Sequence, residues 1–282
     1  MKQSEFDTIQ DKLEEYDDHS MKYIEFEDVK AYDCIQNDKD LILICGRDEE
    51  TGMREVHWAA NEAEYLVEGL KEINHRMLKE TTKLSFIPDA WVKQLCEEGY
   101  EVFAIWRDYF IHKLESCLKN FNKDEIVNYE YLPEQECQRA SEVTYSCKGQ
   151  SRGFTGQTEK WMREWLAGTE SSASNSEAKD ATVLIHRDEK GSIDGIVCTC
   201  VYGHGSPKGA IVWIREIAVN PKSQGKGIGR TLLVQALQYG KQHGAKRAFL
   251  AADENNYGAI HLYKQVGFVP SNEEGEINLI SK

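Results

Sequence analysis

Gln224-Gly225-Lys226-Gly227-Ile228-Gly229-Arg230 is the stretch on which the reading of this 282-residue chain turns. Before it, residues 209–220 have the apolar character of a strand. After it, residues 229–243 repeat apolar side chains at helical spacing. Glycines at the mouth of a helix leave several backbone N–H groups uncovered, and the helix dipole adds positive potential there. Lys222, Lys226 and Arg230 bring cationic side chains to the same loop, so the whole suits a pyrophosphate. A P-loop would need Lys-Ser or Lys-Thr after its last glycine, which is missing here. A Rossmann fingerprint would place the third glycine one residue later and directly after the strand, whereas Asn220-Pro221-Lys222-Ser223 intervenes.

A third pattern fits better. The segment resembles the Q/R-x-x-G-x-G/A loop of the GNAT superfamily of N-acetyltransferases, matched in full by Gln224, Gly227 and Gly229. Upstream, Trp213 to Pro221 looks like the family's central strand and its exit. Downstream, Asn256, Ala259 and Tyr263 stand in the family's Asn-x-x-Ala-x-x-x-Tyr order, followed by Gly267-Phe268. The resemblance implies an α/β (α+β) fold with a mixed, mostly antiparallel sheet, a splayed central strand pair and flanking helices.

It also implies acetyl-CoA as acyl donor, a small amine as acceptor and no metal. Ile217, Ala218 and Val219 would offer unpaired backbone groups to the pantetheine arm. Gln224, Gly225, Lys226, Gly227, Ile228, Gly229 and Arg230 would hold the pyrophosphate, and Asn256 would contact the pantetheine. Tyr263 is the matched position for the acid that returns a proton to the leaving thiolate, since a phenol's pKa lies near a thiol's. Glu216, between apolar neighbours on the central strand, is either the base that takes the ammonium proton or a structural partner of Arg215. In the histone-acetylating branch the glutamate base lies about three residues earlier, where this chain has Trp213, which speaks against that subclass.

The rest of the chain reads as two units. Residues 1–125 hold 16 Lys and Arg against 30 Asp and Glu, while residues 126–282 hold 18 of each, so the whole net charge of −14 sits in the first part. That balance argues against a general nucleic-acid binder, which needs a basic face. Residues 41–45 and 54–60 read as a hairpin, with a helix after Asn61 that carries Tyr65, Leu66, Leu70, Ile73, Met77 and Leu78. A strand at 83–87, a helix from Pro88 and a strand at 100–110 follow. The polar stretch from Lys119 suggests a division between a first domain at 1–120 and a second at 125–282. Residues 168–180, nearly free of large apolar side chains, read as a mobile loop. Both parts show hairpin, strand, long helix, strand, short helix and then Gly-aromatic. The first is therefore expected to be a degenerate, tandem copy that lacks the glycine-rich loop and with it the cofactor site.

Other features read as ordinary. The eight cysteines form no C-x-x-C pair, and the sequence shows no long apolar run or leader, so a cytoplasmic protein off the membrane is expected. His186, His204 and His261 read as surface or half-buried residues, and Trp161 and Trp165 as core or, with Tyr202, as the lining of an amine pocket by cation–π contact. Two further functions compete with the enzyme of small amines: a catalytically silent acyl-CoA-binding module, and a protein N-acetyltransferase with the acidic part docking a basic partner. The acidic part serves solubility or steers cationic substrates. The degenerate half closes over the substrate groove or forms a homodimer contact.

Overall fold

Apolar alternation and glycine-marked turns lay down most of the elements where the sequence suggests them. A computed structural model of the chain describes residues 1–48, 52–76, 80–121, 129–169 and 179–281. The chain divides into two compact units, Met1–Ile105 with Gly275–Lys282, and Trp106–Glu274. The division falls inside a strand, a place that composition does not mark, rather than in the polar stretch from Lys119. Residues 122–128, most of the expected loop at 168–180, and Met77 and Leu78 lie outside the described residues. Among the described residues no helix is long and apolar enough to cross a membrane.

The first unit contains α1 (Gln3–Lys12), β1 (Asp18–His19), α2 (Phe26–Val29), β2 (Asp33–Asn37), β3 (Leu41–Arg47) and β4 (Arg54–Ala60). It continues with α3 (Ala63–Arg76), β5 (Thr82–Leu84), α4 (Asp89–Glu97) and the start of β6 (Tyr100–Ile111). The expected hairpin is β3 and β4, in register at Leu43↔Trp58 and Cys45↔Val56. One face of this sheet buries Leu66, Leu70 and Ile73 of α3, and the other buries Phe6 and Ile9 of α1. Such side chains contribute about 1.5–3 kcal/mol each when fully buried. β4 and β5 pair in parallel only from Arg54↔Thr82 to Val56↔Leu84. Beyond that point β1 takes the edge that β5 leaves, at Asp18↔Ala60 and His19↔Ala59, while β3 holds the opposite edge. Ser20 completes the closure: its N–H donates to the Trp58 carbonyl at 2.8 Å, and the Trp58 N–H donates to Ser20 Oγ at 2.8 Å.

The second unit takes up the end of β6 and continues with α5 (Leu114–Leu118), β7 (Glu130–Tyr131), α6 (Cys137–Ser146), α7 (Glu159–Ala167), β8 (Lys179–Arg187), β9 (Ile193–Tyr202) and β10 (Ile211–Val219). There follow α8 (Ile228–Gln242), β11 (Arg247–Asp253), α9 (Tyr257–Val266) and β12 (Val269–Pro270). The strands lie in the order β6-β11-β10-β9-β8-β7, antiparallel except for the β10–β11 pair. Helix α8 packs Leu232, Leu233, Ala236 and Leu237 on one face of the sheet against Val197, Val212 and Leu250. On the other face α6 and α7 pack Val143, Met162 and Trp165 against Val183, Ile196 and Cys198. Covering on both faces explains why β9 reads as a nearly unbroken apolar run rather than an alternating one. Gly240 lets α8 approach closely, since a Cβ there would stand 2.3 Å from Val212 Cβ. A strand that the sequence reading did not foresee, β13 (Glu276–Ser281), belongs to the first unit and pairs with β5 at Leu279↔Leu84.

Candidate active site

The site grows from the place where β10 and β11 part. They pair at Ile211↔Arg247, Val212↔Ala248 and Trp213↔Phe249 and no further, although β10 runs on to Val219 and β11 to Asp253. Each stays paired on its outer side, β10 to β9 as far as Val219↔Gly195 and β11 to β6 as far as Asp253↔Trp106. The inner edge of residues 214–219 is thus unpaired with β11. A bulge contributes: the β9 register shifts between Ile214 and Glu216, leaving Arg215 as the extra residue, and bulges bend and twist the strand that carries them.

The glycine-rich loop leaves the end of β10. Asn220 Oδ1 accepts from the Lys222 N–H at 3.1 Å and shapes the first turn. Gln224 Nε2 donates to the Val219 carbonyl at 2.9 Å and to Gln150 Oε1 at 2.8 Å, which ties the loop back to the strand. The Cys147 thiol donates to the same Val219 carbonyl, so that oxygen is already engaged. Gly225 and Gly227 adopt φ of +78° and +84°, a region in which an L side chain costs about 1–2 kcal/mol. A Cβ on either would meet nothing within 4 Å, so this side of the loop is open. The Thr231 N–H bonds to the Gly227 carbonyl as the first turn of α8 closes, and the N–H groups of Ile228, Gly229 and Arg230 precede that bond. Lys222 and Lys226 are exposed, and the Arg230 guanidinium lies 5.0 Å from the Phe121 ring centroid. These donors and charges fit an anion such as a pyrophosphate.

Glu216 follows the bulge and is buried, with 7% of its surface exposed. Its Oε1 accepts from Gln157 Nε2 at 2.7 Å and from Arg215 Nη1 at 2.8 Å. Burial pushes its carboxyl above the ordinary range, and Arg215 and Gln157 offset part of that rise. Arg215 and Gln157 both engage Oε1. Among the described residues Oε2 has no hydrogen-bond partner, and it is not sealed from solvent. Gln157 is itself fixed: its N–H donates to Thr144 Oγ1 at 2.8 Å and its carbonyl accepts from Ser141 Oγ at 2.7 Å.

Tyr263, on α9, is also buried, with its ring 6.4 Å from that of Tyr109 and 6.2 Å from that of Phe268. Burial raises its phenol pKa, and the charges of Glu216 and Tyr109 raise it further. Asn256 is the N-cap of α9, its side chain accepting from the Ala259 N–H at 3.3 Å. At the end of β11, Asp253 is fully enclosed and receives a fork from Arg152, at 2.8 and 3.2 Å. Gln157 and Arg152 were not singled out from sequence. They lie between α6 and α7 in an irregular segment without periodicity, where glycines announce turns but nothing marks the side chains that matter. Trp161 and Trp165 stack at 5.2 Å in the core, His186 pairs with Asp194, and His261 with Gln265. All eight cysteines are free thiols.

Comparison with known proteins agrees with this geometry. Residues 150–268 match the Acetyltransferase (GNAT) family. An uncharacterized N-acetyltransferase of Methanocaldococcus jannaschii is 34% identical over 103 residues, covering 33% of this chain and 44% of that protein. A mycothiol acetyltransferase of an Arthrobacter species is 35% identical over 89 residues, covering 31% of this chain and 27% of the relative. The chain thus spans less than half the length of these curated relatives. Among solved structures, a GCN5-related N-acetyltransferase from Sphaerobacter thermophilus superposes with a TM-score of 0.55 at 17% identity, over 86% of this chain and 76% of that one. That likeness is one of fold. Residues 150–268 of this chain form an acetyltransferase domain of the GNAT family.

Proposed function

We propose that the protein transfers the acetyl group of acetyl-CoA to a primary amine of a small molecule, by direct attack in a ternary complex. The observation that carries this reading is the parting of β10 and β11 beside the glycine-rich loop, with Glu216 in the parted stretch. Acetyl-CoA supplies the activated thioester. The N–H groups that open α8, with Lys222 and Lys226, suit its pyrophosphate, and the free edge of Ile217, Ala218 and Val219 suits the amides of the pantetheine arm. Asn256 has its amide nitrogen to offer after its oxygen has capped α9.

Glu216 Oε2 accepts a proton from the ammonium, which frees the nitrogen lone pair. The N–C bond forms as the C–S bond breaks; Tyr263 gives its proton to the departing sulfur and recovers, through solvent, the one that the acylated nitrogen sheds, while Glu216 releases the ammonium's proton to solvent. Burial keeps the phenol protonated at neutral pH, so it is present as a donor, and the same dry surroundings raise the thiol's own affinity for a proton. An N–H of the parted strand polarises the carbonyl as charge develops on it. The names of the relatives support acyl transfer.

The test is a thiol-release assay with acetyl-CoA against a set of small amines, with Tyr263→Phe in parallel. Turnover with one class of amine, reduced in the variant, is expected. Tight acetyl-CoA binding without turnover of any small amine or protein acceptor would favour the silent acyl-CoA-binding module instead.

A further inference from the structure

Arg215 is more than the partner of Glu216. It is the extra residue of the β10 bulge, and bulges commonly re-aim a side chain toward a functional site. Its guanidinium carbon lies 5.7 Å from the ring of Trp161 and 5.7 Å from the ring of Trp213, within cation–π reach of both indoles. Nη1 is engaged by Glu216 at 2.8 Å. Among the described residues Nε and Nη2 have no acceptor, the side chain is 30% exposed, and neither nitrogen is sealed from solvent. A guanidinium beside two indoles, bonded to Glu216 at Nη1 and without an acceptor at Nε and Nη2, presents the donor fork that pairs with an oxyanion.

The neighbour decides which oxyanion. Beside Arg215 stands the one carboxylate whose free oxygen is read here as the acceptor of the amine's proton. A fixed cation and a fixed anion side by side are complementary to a molecule that carries a carboxylate and an ammonium on the same or adjacent carbons. A phosphate dianion would bring a second negative charge against the buried Glu216 and gain less. We propose that Arg215 is the carboxylate-recognition residue of the acceptor site, and that the acceptor belongs to the α-amino acids with a free carboxylate. This rests on the acetyl-transfer reading above. It also turns selection away from polycations, because a diamine would set a second ammonium against the guanidinium.

The experiment compares each common α-amino acid with its carboxamide and its decarboxylated amine, in wild type and in Arg215→Gln and Arg215→Lys. Thiol release gives kcat/KM, and calorimetry gives binding of the same compounds in the presence of CoA. Wild type is expected to prefer the free acid over its carboxamide by about 10- to 100-fold, the scale of a hydrogen bond to a charged group. Arg215→Gln is expected to bring that ratio near unity mainly through KM, and Arg215→Lys to restore part of it. Calorimetric acetyl-CoA binding by each variant verifies that the fold is intact. Turnover that ignores the carboxylate, or a variant that slows acid and amide alike, would overturn the role of Arg215 and leave acetyl transfer standing. Carboxylate-dependent binding that Arg215→Gln abolishes, without any turnover, would uphold Arg215 and overturn the transfer. Neither turnover nor carboxylate-dependent binding would overturn both.

Discussion

Gln157 Nε2 donates to Glu216 Oε1 across 2.7 Å, although 59 residues separate the two in the chain. The amide and Arg215 share one carboxylate oxygen, and the other has no hydrogen-bond partner among the described residues. A carboxylate this buried holds its proton more tightly than a solvated one, and that tendency is measurable.

Replacing Glu216 by Gln should cost activity and gain stability. The folded state raises this carboxyl's pKa, so it holds the proton more tightly than the unfolded chain does. Stability is therefore greatest below the unfolded value and falls as pH rises to and through the folded one. Glu216→Gln should melt at a higher temperature than wild type at pH 7, with the difference closing toward acid pH, while turnover falls about 10²–10⁴-fold. A melting difference that does not vary with pH would contradict the buried-carboxylate account.

The acid limb of kcat/KM against pH should report the same group. It should lie above the ordinary carboxylate range, because burial dominates. Gln157→Ala removes a hydrogen bond to the charged form, so the limb should move to still higher pH. A limb that stays in place would show that Glu216 is not the group whose ionisation the rate follows.

Tyr263→Phe should lower kcat by about 100-fold or more, the usual scale of a lost general acid. Acetyl-CoA affinity, read by calorimetry, should change far less, since the phenol acts at the breaking bond. A kcat close to wild type would move the proton donation to solvent or another group.

Gly227→Ala puts a side chain at φ +84°. About 1–2 kcal/mol of stability should be lost by urea unfolding. Acetyl-CoA should bind about tenfold more weakly as the donors at the start of α8 shift, equivalent to roughly 1.4 kcal/mol. Lost stability with unchanged binding would separate the loop's conformation from any anion role.

One acetyl-CoA should bind per chain. The first unit also has a parallel pair, β4 with β5, but β5 ends at Leu84, and β1 and Ser20 bond to the edge of β4 beyond it, at Trp58, Ala59 and Ala60. Titration calorimetry tests this, and a stoichiometry of two would show that the N-terminal segment yields its place.

The sequence by itself determined the local elements and the chemistry of the loop. Alternating and continuous apolar runs made β3, β4, β9 and β10 legible, because a strand's period is a property of neighbouring residues. The spacing of Gln224, Gly227 and Gly229 was legible for the same reason, since positive φ and uncovered N–H groups are demands on single positions. Tertiary structure alone decided what depends on residues far apart. It brought Gln157 and Arg215 to one oxygen of Glu216 and set Arg215 within 5.7 Å of the rings of Trp161 and Trp213. It also gave β13 to the first unit and put β1 into the gap beside β4. These outcomes are long-range contacts, and they depend on which edges and faces remain unpaired after the local elements form, a quantity no window of sequence contains.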